Sequence, residues 1–119
     1  MPDNPEQNKP AGQYRTFAEF WPYYLSQHSK RETRYAHIAG TLLGTLFFLI
    51  GIVSFKIGWI ILALLVGYGA AWTGHAFVEN NQPATFENPL MSLRGDYKMV
   101  WLWLNGKLAA ELATHNIST

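Results

Sequence analysis

Residues 38–78 read IAGTLLGTLFFLIGIVSFKIGWIILALLVGYGAAWTGHAFV and contain one charged side chain, Lys56. One uncharged run, 38–55, precedes Lys56, and a second and slightly longer run, 57–78, follows it. At about 1.5 Å per residue, roughly 20 helical residues cross the roughly 30 Å hydrocarbon core of a bilayer. The stretch therefore predicts two transmembrane helices, at about 37–55 and 57–78.

The alternative is a pair of core helices in a soluble protein. A chain of 119 residues leaves too little polar sequence to cover two helices that are apolar on all sides. The short segment around Lys56 makes the two helices antiparallel neighbours. Small residues recur four apart on both runs, a spacing that lets membrane helices pack closely. They are Gly40 and Gly44, Gly67 and Ala71, and Ala70 and Gly74.

The charged flanks predict the orientation of this hairpin. Three cationic residues lie within residues 30–34 before the first run, Arg94 and Lys98 follow the second run, and the turn carries only Lys56. The positive-inside rule then places both termini in the cytoplasm, with the hairpin in the inner membrane if the source is bacterial.

Composition excludes two other classes of protein. The net charge is +1, whereas a nucleic-acid-binding domain needs a concentrated basic face. The chain has no cysteine, which excludes a disulfide framework and a thiolate metal site.

One amphipathic helix is predicted on each side of the hairpin. Thr16 and Glu19 have the spacing of a capping box, at the start of a helix over about 16–28. Its aromatic residues share one face, which suits a membrane interface. Asn88 and the proline after it predict the start of a second helix, over about 89–112. We expect both helices to lie at the membrane interface.

The predicted fold is therefore an all-α integral membrane protein, a two-helix transmembrane hairpin with flanking interfacial helices. We expect a single membrane domain over residues 16–112. Residues 1–15 hold three prolines and several polar residues, which predicts a disordered tail, and residues 113–119 form a second tail.

Three histidines and one glutamate are predicted to converge. His37 and His75 are equally far from Lys56 along the chain, the first before it and the second after it, so an antiparallel hairpin carries both to the same depth. Glu79 follows His75 by one helical turn, and His28 lies nine residues before His37. Imidazoles with a carboxylate suit non-haem Fe(II), Mn or Zn. The alternative is that each histidine is an interfacial polar group bonded to a headgroup or to neighbouring backbone.

Further polar side chains follow the second run. Arg94 has the geometry to bind a substrate carboxylate in a bidentate way, or it anchors a phospholipid. Asn81 lies near the same surface and is a second candidate for substrate binding.

Two motifs resemble those of a known family. The first is Tyr23-Tyr24-Leu25-Ser26-Gln27-His28, with eight residues between it and His37, and then Gly40-Thr41. The second is Trp72-x-Gly74-His75-x-x-x-Glu79, followed by Pro83-Ala84-Thr85-Phe86 and Pro89-Leu90-x-Ser92-Leu93. Over roughly residues 16–108 the chain resembles the short bacterial branch of the 2-hydroxy-palmitate dioxygenase family of fatty-acid alpha-oxidation.

The resemblance implies an Fe(II)-dependent enzyme that cleaves a 2-hydroxy fatty acid with O₂ to CO₂ and an acid one carbon shorter. By position, His28, His37 and His75 correspond to iron ligands. Glu79 corresponds to a ligand or to a catalytic base that orients one. Such a reaction needs no added reductant, because the hydroxy acid supplies the electrons.

The chain also departs from the family. Thr33 stands where many relatives have asparagine four residues before the second histidine. The characterised fungal enzyme has extra apolar segments, and a second protomer in a homodimer would be one replacement for them. The residues expected along the acyl tail are Phe47, Phe48, Trp59 and Tyr68, or their neighbours.

Two other functions fit the same residues. One is a non-enzymatic membrane scaffold or assembly module, because uncharged helices with regularly spaced glycines also pack on other helices. The other is a metal-dependent lipid hydrolase with zinc at the same side chains.

Overall fold

The computed structural model describes residues 14–80 and 88–119. In chain order these residues form α1 (Phe17–Ser26), α2 (Arg31–Ser54), α3 (Ile57–Thr73), α4 (Pro89–Leu104) and α5 (Leu108–Thr114). A π-helical segment, Gly74–Glu79, continues α3. The described ranges contain no strand, and the all-α prediction is confirmed for them.

The hairpin of α2 and α3 turns where the sequence predicts. α2 ends at Ser54, Phe55 adopts the left-handed conformation with φ 55°, and α3 begins at Ile57. The amide of Lys56 donates to the carbonyl oxygen of Gly51 at 3.1 Å. This bond closes the end of α2, as in other helices that terminate on a left-handed residue.

The two long helices are mostly exposed. α2 is long and apolar enough to cross a membrane, and so is α3 together with the π-helical segment. The protein buries only 22% of the most apolar part of α2. It buries only 11% of the most apolar part of α3 and the π-helical segment. A core helix of a soluble protein would instead be buried on its apolar sides. The hairpin therefore presents a large apolar surface that water does not solvate well.

Glycines bring α2 and α3 into close contact. A Cβ atom at Gly40 would lie 2.8 Å from Cβ of Ala70, and one at Gly44 would lie 3.2 Å from the carbonyl oxygen of Ala63. Neither position has room for a side chain. The predicted role of small residues in helix packing is confirmed at both positions.

The aromatic face of α1 packs against the rest of the protein, which corrects its interpretation as a face at the membrane interface. Phe20, Trp21 and Tyr24 are at most 4% exposed. They share one hydrophobic core with Met99 of α4 and Leu112 of α5. Because this face is covered by protein, it does not contact lipid headgroups.

The start of α1 matches its prediction, and its end does not. The hydroxyl of Thr16 accepts a hydrogen bond from the amide of Glu19 at 3.2 Å. The helix stops at Ser26, so His28 lies in the turn that follows. Tyr14, which falls within the predicted tail, is 5% exposed and belongs to the core. The rest of that tail, apart from Arg15, lies outside the described residues.

The second flanking helix is divided in two, so the prediction of one helix over 89–112 is wrong. Gly106 adopts φ 69°, directly after the C-cap residue Asn105 of α4. A glycine in the left-handed conformation at this position is a common helix stop. α4 buries Met99 and Val100, while Trp101 on the same helix is 67% exposed.

Candidate metal centre

Three buried histidines meet at the open end of the hairpin. His28 follows α1, His37 lies on α2, and His75 lies on the π-helical segment. Nε2 of His28 lies 3.1 Å from Nε2 of His37 and 3.1 Å from Nε2 of His75. All three side chains are at most 4% exposed. The structure thus brings together His37 and His75, as the hairpin geometry predicts, and His28, as its nearness in sequence predicts.

Contacts to its side chain and to its backbone hold His28 in place. Nδ1 of His28 lies 2.6 Å from the carbonyl oxygen of Tyr24, and the two rings stack with centroids 4.1 Å apart. Nη1 of the buried Arg34 donates to the carbonyl oxygens of His28 and Ser29 at 2.9 and 2.8 Å. A buried guanidinium that satisfies two loop carbonyls fixes the turn on which His28 stands.

Asp96 of α4 orients His37. Nδ1 of His37 donates to Oδ1 of Asp96 at 2.9 Å, and the hydroxyl of Tyr24 donates a short hydrogen bond to the same oxygen. α4 comes this close because Gly95 has no side chain, and a Cβ atom there would lie 2.8 Å from the Tyr24 ring. Histidines that bind metals usually donate their other ring nitrogen to such a carboxylate.

His75 stands on the π-helical segment, a type of helical irregularity that is frequent at functional sites. The segment approaches α2 at Gly74, where a Cβ atom would lie 3.1 Å from Cγ2 of Thr33. Thr33 is fully buried, and its hydroxyl has no hydrogen-bond partner among the described residues. Thr33 therefore contributes packing by its methyl group at this contact.

The partners of the Nδ1 atoms determine two tautomers. A carbonyl oxygen only accepts, so Nδ1 of His28 carries the proton, and Nδ1 of His37 likewise donates to the Asp96 carboxylate. In the neutral rings both Nε2 atoms are then unprotonated, and they lie 3.1 Å apart. Nitrogens that bind one Zn²⁺ at about 2.0–2.1 Å lie about 3.3 Å apart in a tetrahedral site. The three ligand nitrogens lie within 4.8 Å of one another, and the two distances of 3.1 Å from His28 fit one first-row metal ion.

Burial favours the neutral form of His28. Burial lowers the pKa of His28 well below its ordinary value of 6.5, and the imidazoles of His37 and His75 lower it further. The neutral ring is the metal ligand. Burial, together with the charge of Asp96, raises the pKa of Tyr24, so its hydroxyl keeps the proton that it donates.

Glu79 connects the end of the π-helical segment to the start of α2. Its carboxylate accepts hydrogen bonds from the hydroxyl of Ser29 at 2.8 Å and from the amide of Lys30 at 2.5 Å. Nζ of Lys30 donates to the carbonyl oxygen of Val78 at 2.7 Å. Glu79 is not part of the three-histidine group. These contacts brace the turn that carries His28, and the catalytic role of Glu79 stays a prediction.

Of the two residues predicted to bind substrate, the structure describes Arg94, which contacts α1. The guanidinium carbon of Arg94 lies 4.2 Å from the centroid of the Phe17 ring, beside α1. Asn81 lies outside the described residues. Their roles in substrate binding stay predictions.

Sequence reasoning gave no role to Asp96, which contacts His37 across 59 positions of the chain. In the sequence, the only feature that points to Asp96 is its position one helical turn after Ser92, the serine of the second motif. That spacing shows that Asp96 and Ser92 share a face of α4, but not that this face meets α2.

One family model matches the chain. It is described as 2-hydroxy-palmitic acid dioxygenase Mpo1-like and matches residues 14–108, which include the three histidines and Asp96. No curated protein and no solved structure matches the chain significantly.

Proposed function

The chain belongs to the family of 2-hydroxy-palmitic acid dioxygenase Mpo1-like proteins, and from this premise we propose that it is a membrane-bound, Fe(II)-dependent dioxygenase of 2-hydroxy fatty acids. The reaction converts a 2-hydroxy acid and O₂ into the acid one carbon shorter, CO₂ and water. Atoms and electrons balance without a further reductant, because the hydroxy acid is the electron donor and O₂ is the acceptor.

The observation that carries the proposal is the close approach of two imidazole nitrogens, Nε2 of His28 and Nε2 of His37, to 3.1 Å. Two unprotonated nitrogens at this distance repel, and a cation between them removes the repulsion. His75 adds a third nitrogen at 3.1 Å. A three-nitrogen set leaves coordination positions for substrate and O₂, as non-haem iron oxygenases require.

The residues of the chain have separate tasks in this proposal. His28, His37 and His75 would hold the ion. Bound iron would supply coordination of the hydroxy acid and of O₂ and the transfer of electrons between them. Asp96 keeps the proton of His37 on Nδ1, so Nε2 stays available for the metal. The hydroxyl of Tyr24 donates to Asp96 and holds its carboxylate in place.

The proposal includes insertion of the hairpin in the membrane. The low burial of α2 and α3 supports it, and so does the cost of exposing this much apolar surface to water. With the cationic flanks in the cytoplasm, the metal centre lies at the cytoplasmic surface. There it meets the carboxylate of a fatty acid whose tail is in the bilayer.

The test is metal analysis of the full chain after anaerobic purification. We compare the parent with His75→Ala and with the matched control His115→Ala, because His115 lies after α5 and contacts Glu111 instead of the centre. We expect stoichiometric iron in the parent and the control and its loss in His75→Ala. O₂ uptake with 2-hydroxyhexadecanoate should follow the iron content.

Two results would overturn the proposal. Unchanged metal content in His75→Ala would mean that these histidines do not form the site. Stoichiometric zinc with no O₂ uptake, even after iron is loaded, would instead support a hydrolase.

A further inference from the structure

A groove begins at His37 and follows the outside of the hairpin. It has a volume of about 320 Å³ and lies between α2, α3 and α4. Sites for small molecules have volumes of about 300–1,000 Å³. The groove is therefore large enough for one slender ligand.

Polar side chains form the end of the groove next to the histidines. His37 and Asp96, which are hydrogen-bonded to each other, lie at this end. Ser92, one turn before Asp96 on α4, lines the groove as well and is 6% exposed. Here the hydroxyl of Ser92 can donate a hydrogen bond to an oxygen atom of a ligand, and the carboxylate of Asp96 can accept one from a ligand hydroxyl.

The remainder of the groove is apolar. Gly40, Gly44 and Gly67, where α2 and α3 touch, line its middle. Phe48 of α2 and Leu64 of α3 line it farther from the histidines. Both lie eight residues from Lys56 in the hairpin turn, so they are at similar depth.

The length of the groove matches one leaflet of a bilayer. From His37 to Phe48 the chain advances eleven residues, or about 16 Å along α2. Half of a hydrocarbon core of roughly 30 Å is about 15 Å, which one lipid acyl chain spans. Phe48 and Leu64 are about half exposed, so the groove is open to the surrounding lipid along its side.

We propose that this groove binds the acyl chain of the substrate, with the carboxylate and hydroxyl at His37 and the methyl end between Phe48 and Leu64. The inference rests on the proposed function, because that function supplies the 2-hydroxy acid. A long-chain acid enters sideways from the bilayer and keeps its tail at the depth that it had in the lipid.

A hydrogen bond joins two walls of the groove partway along. The hydroxyls of Thr45 on α2 and Tyr97 on α4 lie 2.5 Å apart, and both residues line the groove. Thr45 is eight residues from His37, or about 12 Å along the helix.

The side chains of Phe47 and Trp59, which were expected along the acyl tail, do not line this groove. They contact each other instead, with ring centroids 5.6 Å apart.

Photo-crosslinking in lipid nanodiscs tests the location without any turnover. The probes are two hexadecanoic acids, one with a diazirine near the carboxylate and one with a diazirine near the methyl end. We expect the first to label residues around Ser92 and the second to label residues around Phe48 and Leu64. An excess of unlabelled 2-hydroxyhexadecanoate should abolish both signals. Labelling spread evenly over lipid-facing residues, without competition, would overturn the inference.

Two tryptophan variants at neighbouring positions test whether the methyl end of the acyl chain lies at the far end of the groove. Leu64→Trp fills the groove, whereas Leu65→Trp adds the same bulk at a residue that is 67% exposed and does not line it. Leu64→Trp should lose labelling by the methyl-end probe but keep labelling by the carboxylate-end probe, and Leu65→Trp should keep both. Identical labelling of both variants would contradict the proposed position of the chain.

The two proposals fail in different ways. If the competed labelling pattern is found but the iron-loaded protein consumes no O₂, the groove is an acyl site and the dioxygenase assignment is wrong. If O₂ is consumed but the probes label other surfaces, the enzyme binds its substrate elsewhere.

Discussion

Asp96 offers a sharp test of how the proposed metal centre is built, because it is not itself one of the three histidines. Replacing it with alanine removes the acceptor for Nδ1 of His37, at 2.9 Å, and the acceptor for the hydroxyl of Tyr24. Loss of such an orienting partner typically lowers metal affinity by about 10–100-fold, which corresponds to about 1.4–2.7 kcal/mol. We expect a loss in this range for Asp96→Ala.

Two further variants separate the contribution of the Asp96 charge to metal affinity from that of the Tyr24 hydrogen bond. Asp96→Asn keeps an acceptor oxygen for His37 but removes the charge, so its loss should be about tenfold, at the lower end of the range. Tyr24→Phe removes one of the two hydrogen bonds and leaves the contact to His37, so its loss should be less than about tenfold. The control is Lys98→Ala on the same helix, because Nζ of Lys98 lies 4.4 Å from the Trp21 ring, away from the histidines.

The assay is anaerobic titration of each metal-free protein with Co(II) and then Fe(II) against a competing chelator. Thermal unfolding without metal, measured on the same samples, identifies any variant that is simply less folded. If folded Asp96→Ala binds metal as tightly as the parent, the carboxylate does not orient His37 and the reasoning fails.

Three more predictions concern stability in detergent, measured by thermal unfolding. Thr33→Val should be neutral or stabilise by about 1 kcal/mol, because it removes a buried hydroxyl that has no partner among the described residues; clear destabilisation would indicate a partner. Gly40→Ala should cost about 1–3 kcal/mol, since the new Cβ would lie 2.8 Å from a Cβ atom of α3. The matched change Gly69→Ala should cost nothing, because nothing lies within 4 Å there. Glu111→Gln should lower stability by about 1 kcal/mol at neutral pH. The bond from Trp21, at 2.8 Å, is the main cause that lowers the pKa of Glu111 below 4.5 in the folded state. The stabilising effect of the carboxylate is therefore present above pH 4.5 and is lost as the pH falls below it. If the parent is still more stable than Glu111→Gln at low pH, this assignment is wrong.

The hairpin and the convergence of the histidines were predictable because both follow from the spacing of residues along neighbouring segments of the chain. The two uncharged runs set the helices, and Lys56 lies midway between His37 and His75, so the register of an antiparallel pair fixes their common depth. His28 needed only a turn between α1 and α2. These features depend on short-range chain geometry.

Other features depend on docking between distant segments, which spacing does not reveal. The aromatic stripe around Trp21 has the same periodicity whether it faces headgroups or a protein core, and only the position of α4 and α5 distinguishes the two. Asp96 reaches His37 because Gly95 lets α4 approach Tyr24. The π-helical turn at His75 has no periodic signature comparable to that of an α-helix.

The three histidines stand on three separate elements: a turn, the long helix α2 and a π-helical segment. One bound ion would therefore clamp the hairpin to the helices beside it and raise the thermal stability of the whole protein. At a free metal concentration of 100 times Kd, mass action adds about 2.7 kcal/mol to the free energy of unfolding. A chelator in the purification buffer would then do more than empty the centre, because it would loosen the arrangement that keeps the flanking helices on the hairpin.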